Sequence, residues 1–377
     1  MGTPLGVPFY ASSDCVKLMS MAMASRYDEH TPALFDNTPP THAAIEPMAP
    51  DAALRRLGER LPSNLFLGTS SWNFPGWRGL VYSPMSGEKR LANEGLSAYA
   101  AHPIFSTVGI DRSFYHPMRV EQYAYFADQV PDAFRFIVKA PQQVTDAVLR
   151  DVKGRPTGLN PDFLNPKLAK DIFVDPVIEG LKQKAGPLIF EMPPIPRALL
   201  RESADRHRLI ESVALFMEAL PKRIGDSVPV YGVEMRARAL YTPRFVRTMA
   251  ETGTRLVLGI HPSMPSIMRQ TEALRIMDAP DVQEGVWDPK GDVIVRWSLS
   301  RFDGEYRRMK KEWAPFNALR EPDIVTRSGI EWLMHQAVRT GQRMFVVANN
   351  KAEGSAPLTM RALAENYLEH KRAERIG

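Results

Sequence analysis

The chain has 377 residues, of which 44% are hydrophobic and 24% charged, a composition typical of soluble globular proteins. Its 48 basic and 43 acidic residues give a formal charge of +5, an excess too small to indicate nucleic-acid binding by itself. No run of about 18 apolar residues occurs, so no membrane-spanning helix is expected. The single cysteine, Cys15, excludes an internal disulfide framework. Because no signal-peptide pattern is present either, the sequence predicts a cytoplasmic protein.

Residues 1–48 are rich in Pro, Ser, Met and Thr without sustained periodicity, which predicts a poorly ordered N-terminal extension. Residues 49–377 are predicted to form one domain. Its first helix is expected to begin after Asp51, whose side chain can cap it. Eight short apolar runs then predict β-strands: Leu65–Ser71, Phe105–Asp111, Phe134–Ala140, Pro187–Met192, Pro229–Met235, Arg255–His261, Val293–Trp297 and Met344–Asn349.

Helical patterns lie between these runs. They cover Glu88–His102, Arg119–Val130, Lys167–Lys184, Leu199–Leu220, Thr242–Thr252, Ser266–Met277, Thr326–Thr340 and Pro357–Arg375. Strands that alternate with helices predict parallel βαβ units, and eight units predict an α/β fold with a single closed (β/α)8 TIM-barrel-like domain. A doubly wound sheet is the alternative, but no strand is followed by a glycine-rich phosphate-binding turn.

Two connections are long and leave the carboxyl end of a strand, where a barrel builds its site. Gln142–Pro166 follows the third strand, and Ser300–Glu321 follows the seventh. The second contains the basic run Arg307–Lys311, which is predicted to be the solvated face of a helix.

Polar side chains recur at the carboxyl ends of the strands. Because side chains alternate between the two faces of a strand, the face opposite the bulky aliphatic residues is expected to point into the barrel. This rule places ten residues near the inner rim: Ser70, Trp72, Asp111, Lys139, Glu191, Glu234, Arg236, His261, Arg296 and Asn349. Their three carboxylates and three strong cations nearly cancel, and buried ions must be paired, hydrated or bound to a ligand. The set therefore predicts either a self-neutralising ion-pair network or a small-molecule site built from the same residues.

Several motifs occur in a specific order along the domain. They are Gly68-Thr-Ser-Ser-Trp72, Pro75-Gly-Trp-Arg-Gly79 with Tyr82, Phe105 to Tyr115, Pro131 to Pro141, Gly186 to Pro194, Tyr231 to Arg236, Asn349-Asn350, and Gly354 to Pro357. Together they resemble the YecE-like proteins, which form domain-of-unknown-function family 72, over roughly residues 64–365. The resemblance implies a TIM-barrel-type fold and specifies no reaction.

The chain departs from the family pattern at three positions. The family usually reads Thr-Val-Glu-Ile-Asn in the second motif, whereas this chain has Gly109 at the Glu and Asp111 at the Asn. Glu191 stands where the family often has Gln. A carboxylate has therefore changed position, and an activity of the family can be altered or lost here.

Carboxylates at neighbouring strand ends are the residues most suggestive of chemistry. Glu191 and Glu234 are predicted as an acid/base pair, and Asp111 is the third acidic candidate. The predicted substrate-binding residues are Trp72, Trp77, Tyr115, Lys139, Arg236, His261, Arg296 and Asn349. Aromatic rings can stack on sugar rings, so the leading hypothesis is hydrolase-like acid/base chemistry on a small polar or sugar-like molecule. The structural alternative is that both glutamates only pair with the neighbouring cations.

Other chemistries find less support in the sequence. His261 is the one histidine with a clear rim position, so no metal site is predicted, and no cofactor is expected either. The alternative function is non-catalytic binding of nucleic acid or another polyanion through Lys139, Arg236 and Arg296. The oligomeric state is not specified by the sequence.

Overall fold

The computed structural model describes residues 44–83, 86–151, 153–279, 287–300 and 306–373. Its centre is a closed barrel of eight parallel strands in the order β1-β2-β3-β6-β7-β8-β9-β10, with β10 returning to β1. All eight predicted strands are confirmed. The strands are β1 Leu65–Thr69, β2 Thr107–Ile110, β3 Arg135–Lys139, β4 Val148–Arg150, β5 Pro156–Leu159, β6 Ala185–Met192, β7 Tyr231–Met235, β8 Arg255–Ile260, β9 Val293–Trp297 and β10 Met344–Ala348.

The barrel closes where β1 pairs with β2 on one side and with β10 on the other. Gly68 aligns with Thr107 of β2 and with Val347 of β10. A Cβ at Gly68 would lie 1.9 Å from the Thr107 carbonyl oxygen, so only glycine permits this approach. Because both edges of β1 are paired, the fold is a (β/α)8 barrel and the doubly wound alternative is excluded.

Helices surround the barrel. They are α1 Ala52–Arg60, α2 Glu88–Glu94, α3 Leu96–Ala100, α4 Val120–Ala127, α5 Gln142–Thr145, α6 Pro166–Ala169, α7 Asp175–Leu181, α8 Ser203–Ala219, α9 Pro243–Glu251, α10 Ile267–Asp278, α11 Tyr306–Glu312, α12 Ile324–Arg339 and α13 Ala356–Ala373. A π-helical turn, Lys170–Val174, joins α6 to α7. Short 3₁₀ turns occur at Pro75–Trp77, Arg112–Phe114, Lys182–Lys184, Arg197–Leu200 and Arg238–Leu240. Within the described ranges, no helix has the length and apolar character needed to cross a membrane.

The helix starts follow local capping chemistry. Asp51 caps α1 as expected, because its Oδ1 accepts a hydrogen bond from the Leu54 amide at 2.7 Å. The predicted helix Glu88–His102 is divided into α2 and α3 at Gly95, a residue of low helix propensity.

The long connection Gln142–Pro166 contains structure that the apolar periodicity did not indicate. It forms α5 and an antiparallel hairpin of β4 and β5, which pair Val148 with Leu159. Most residues of the hairpin are exposed, so they carry no alternating apolar pattern that sequence reasoning could detect. The other long connection contains α11, which includes the basic run Arg307–Lys311. Lys310 and Lys311 are exposed, in agreement with a solvated face.

The core has two parts. The outer part lies between the strands and the helices and contains most of the buried apolar residues. The inner part fills the barrel with Phe66, Ile137, Ile189, Val257, Ile294, Phe345 and Val347. The Phe66 and Phe345 rings stack there, with their centroids 4.6 Å apart. The inner cluster blocks the barrel, so the polar strand ends line a closed mouth and not a channel.

The described chain begins inside the predicted extension. Ile45 is buried, and Pro47 forms an antiparallel bridge with Tyr82. Residues 45–48 therefore pack on the domain. Residues 1–43 of the predicted extension, with Cys15, lie outside the described residues.

Candidate functional site

Six charged side chains meet at the carboxyl ends of the strands. They are Asp111 after β2, Lys139 of β3, Glu191 of β6, Glu234 of β7, Arg236 just after β7, and Arg296 of β9. We call these six residues the rim network. All six come from the inward set that strand alternation predicted, and the three carboxylates balance the three cations.

Glu191 is the acceptor shared by all three cations. Its Oε2 lies 2.9 Å from Lys139 Nζ, 3.0 Å from Arg236 Nη2 and 2.8 Å from Arg296 Nη1. Burial by itself raises the pKa of this carboxyl, but the three cations outweigh burial and hold the pKa well below its usual range. Glu191 is therefore ionised at neutral pH.

Glu234 is held next to Glu191 by strand register. The two residues are aligned partners on β6 and β7. Glu234 Oε1 accepts a hydrogen bond from Arg236 Nε at 2.8 Å, and its Oε2 accepts one from Arg296 Nη1. The Glu234 side chain is fully buried. A substrate cannot reach this carboxylate in the present arrangement.

Arg296 is the centre of the network. Besides the two glutamates, its Nη2 donates to both oxygens of Asp111 at 3.2 and 3.3 Å. Burial opposes the charged form of this guanidinium, but Glu234, Asp111 and Glu191 together raise its pKa further above the usual range. One buried cation thus links carboxylates from three strands.

Asp111 differs from the other two carboxylates in its exposure. Its side chain is 35% exposed, against 5% for Glu191 and none for Glu234. Its bonds to Arg296 are longer than those of Glu191 to the same guanidinium, and they leave part of the carboxylate facing solvent. Asp111 is therefore the carboxylate of the rim network that a ligand can contact.

Lys139 lies between a carboxylate and an aromatic face. Its Nζ is 3.6 Å from the centre of the Phe114 ring as well as within bonding distance of Glu191. Burial lowers the pKa of this ammonium, although Glu191 opposes the shift. Lys139 is consequently a stronger proton donor than a lysine in water.

The remaining strands contribute neutral polar groups. His261 Nδ1 lies 2.8 Å from Ser263 Oγ, and burial, with Arg236 nearby, lowers the histidine pKa. Asn349 donates from Nδ2 to Ser70 Oγ at 3.1 Å. All eight barrel strands therefore carry a polar side chain at or just beyond their carboxyl ends.

The two tryptophans of the first motif lie in the outer core. Trp72 is 1% exposed and meets Phe126 of α4 edge to face, because the chain leaves β1 at Thr69 and the alternation of faces stops there. Trp77 is also buried and donates from Nε1 to Asn350 Oδ1 at 3.1 Å. Neither ring is available for stacking on a ligand. Tyr115, in contrast, is 64% exposed and meets Phe114 edge to face.

Three further residues support the site but were not identified from the sequence. Ser298 accepts a hydrogen bond from Arg236 Nη2 at 3.2 Å, and strand alternation extended by two residues beyond Arg296 would have found it. Ser113 donates to the carbonyls of Ile110 and Lys139 at 2.8 and 2.6 Å, which ties the ends of β2 and β3 together. Arg112 covers the ring of Trp72, and its only sequence signal is its position directly after Asp111.

A separate cavity of about 720 Å³ lies between the β4–β5 hairpin and α8. Its lining includes Phe163, Leu164, Leu209 and Phe216, and it contains none of the rim residues. The lining of this cavity is mainly apolar, whereas the convergent charged groups that orient a polar ligand are at the rim. We therefore assign the candidate site to the rim network.

Among the solved structures that are similar to this chain are two DUF72 family proteins. A DUF72 family protein from Thermotoga maritima MSB8 is similar over 82% of this chain and 99% of its own, with 17% identity and a TM-score of 0.50. A DUF72 family protein from Enterococcus faecalis V583 covers 80% of this chain and 95% of its own, with 16% identity and a TM-score of 0.49. No curated protein matches the sequence.

The sequence was also compared with protein families. The family described as "Protein of unknown function DUF72" matches residues 66–375, which include every residue of the rim network. The YecE-like resemblance noted above is to this same family, and the barrel it implies is observed. The chain belongs to the DUF72 family.

Proposed function

We propose that this chain is a small-molecule enzyme that carries out hydrolase-like acid/base chemistry on a polar, sugar-like substrate at the barrel mouth. The observation that carries the proposal is the accessibility of Asp111 within an otherwise buried rim network. A partly exposed carboxylate held by a buried arginine has a defined position and free acceptor capacity. The single cysteine, Cys15, supports placing this enzyme in the cytoplasm.

The acid and base roles follow from exposure and pKa. Glu191 and Glu234 were the first candidates, but Glu191 is held ionised by three cations and Glu234 is fully buried. In this proposal they position the cations instead. Asp111 acts as the base that removes a proton from the attacking water. Lys139, on the adjacent strand, donates a proton to the leaving oxygen. Asp111 then releases its proton to solvent, and Lys139 takes one up, which restores both groups.

A sugar-like substrate is supported by the groups beside Asp111. Hydroxyl groups can donate to its carboxylate and accept from Lys139 and Arg236, whose side chains are 11% and 15% exposed. Tyr115 offers an exposed ring four residues after Asp111, and aromatic faces pack on sugar rings.

Polyanion binding, the alternative function, receives less support. The three rim cations are each paired with a carboxylate, so the rim network provides no excess positive charge to attract a phosphate backbone.

The experiment is a binding and turnover screen with the full chain. Chromogenic glycosides and esters of sugars are tested for hydrolysis, and the parent sugars for binding by saturation-transfer NMR. Asp111→Asn should abolish turnover while leaving the fold intact. Trp77→Phe, a buried change outside the rim, serves as the control for packing effects. Full turnover by Asp111→Asn would refute the assignment, and salt-sensitive binding of oligonucleotides in place of sugars would favour the alternative.

A further inference from the structure

Arg112 is a largely enclosed guanidinium that has no anionic partner among the described residues. It follows Asp111 and opens the 3₁₀ turn Arg112–Phe114. Its Cζ lies 5.0 Å from the centre of the Trp72 ring and 5.3 Å from that of Phe126. Among the described residues, none accepts a side-chain hydrogen bond from Arg112 or forms an ion pair with it. Burial lowers its pKa, with no opposing carboxylate.

This arrangement contrasts with the other arginines of the site. Arg236 and Arg296 each contact two or more carboxylate oxygens. A guanidinium carries five N–H donors, and aromatic faces satisfy its charge only in part: a cation–π contact contributes roughly 0.5–2 kcal/mol. Arg112 therefore retains donors that can bind an anion.

A second hydrogen-bond donor, the indole N–H of Trp72, lies in the ring that Arg112 covers. Trp72 is almost fully buried, and its Nε1 has no hydrogen-bond partner in the described part of the chain. Buried N–H groups without an acceptor are rare, since each incurs the desolvation penalty without the bond. An enclosed cation and a buried N–H group occur side by side at the end of β2 and in the loop after β1, and neither has an acceptor within the described ranges.

We propose that Arg112, supported by the Trp72 ring, binds an anionic group of the substrate, so that the substrate is a sugar phosphate or sugar acid. This inference rests on the proposed function, which places the polyhydroxylated part of the substrate at Asp111. Asp111 and Arg112 are consecutive residues, but Asp111 faces Arg296 at the barrel mouth and Arg112 covers the Trp72 ring, so the substrate must span from one side chain to the other. Arg112 can hold either a carboxylate or a phosphoryl group with two parallel N–H donors.

The test measures binding of inorganic phosphate and acetate to the full chain by calorimetry and by tryptophan fluorescence. Arg112→Met keeps an apolar cover over Trp72 but removes the charge, and should weaken binding at least tenfold, or about 1.4 kcal/mol. Arg112→Lys keeps the positive charge but lacks the two parallel N–H donors of the guanidinium, and it should give an intermediate affinity. Arg78→Met removes an exposed arginine from the loop after β1 and should bind like the wild type.

Two further measurements separate this inference from the proposed function. Asp111→Asn should still bind phosphate, so anion binding and turnover can fail independently. A hexose phosphate and a hexuronate identify which anionic group binds more tightly, and Arg112-dependent binding of either supports the proposal. The proposal is overturned if a folded Arg112→Met or Arg112→Lys chain binds phosphate as well as the wild type. It is equally overturned if the wild type shows no saturable anion binding, or if only oligonucleotides bind.

Discussion

Arg296→Met tests whether the rim network is a coupled ion cluster. Arg296 is the one described side chain that contacts Asp111, Glu191 and Glu234 together, and it is 4% exposed. Its removal leaves three carboxylates with two cations, so the rim network carries one net negative charge in a poorly solvated environment. Loss of one partner from a buried ion pair typically costs about 3–5 kcal/mol, because the remaining charge is uncompensated. We expect the free energy of unfolding to fall by about that amount.

A double-mutant cycle identifies the cause. Glu234→Gln removes one negative charge, so in the Arg296→Met background it restores the balance of charges at the rim. The double variant should therefore lose less stability than the sum of the single variants, by at least about 1 kcal/mol. Arg244→Met is the control: its ion pair with Glu211 is 51% exposed at the arginine and 56% at the glutamate, and such exposed pairs contribute about 0–1 kcal/mol.

The assay is urea unfolding followed by circular dichroism at pH 7, with the slope compared between variants. A coupled ion cluster is refuted if Arg296→Met costs no more than Arg244→Met. It is also refuted if the losses of Arg296→Met and Glu234→Gln are additive, because independent sites do not share a charge balance.

Three further predictions follow from single contacts. The depressed pKa of Glu191 contributes stability that is present above about pH 4.3, the ordinary value, and is lost as the pH falls below it. The Glu191→Gln variant should therefore be less stable than the wild type at pH 7. Between pH 5 and pH 3, however, its stability should fall by less than that of the wild type, as measured by urea midpoints. Gly109→Ala should destabilise by about 1–3 kcal/mol in thermal unfolding, because its Cβ would lie 3.0 Å from the Ser70 Cα. Unchanged stability of Gly109→Ala would contradict this prediction, because it would mean that the chain at the end of β1 can move away from the added methyl group. Trp77→Phe should cost about 2–3 kcal/mol in urea unfolding, from the lost bond to Asn350 and the smaller ring, and a cost below about 0.5 kcal/mol would contradict this packing.

The structure gives a physical reason for the positions at which this chain departs from the family pattern. A side chain at Gly109 would press on the backbone of Ser70, so a Glu there requires a different spacing of β1 and β2. The carboxylates of Asp111 and Glu191 instead fill positions around Arg296. Two of the three departures, Asp111 and Glu191, thus belong to one network, which the two positions taken separately did not indicate.

Much of the architecture was encoded locally. Apolar runs with β-branched residues located every barrel strand, and the count of eight alternating units indicated closure. Strand alternation also predicted the whole rim network, because each side chain keeps its face as long as the strand continues. The same rule failed at Trp72, beyond the end of β1, where the backbone no longer alternates.

The sequence by itself determined the barrel, the polar rim and its near-neutral charge, since these depend on periodicity and composition along single strands. Only the tertiary structure decided that Asp111 is accessible while Glu234 is buried, and that Arg112 rests on Trp72 with no anionic partner in the described part of the chain. Exposure and pairing depend on the stagger of several strands and on the path of the loops between them. Those are distances between residues far apart in the chain, and no local pattern encodes them.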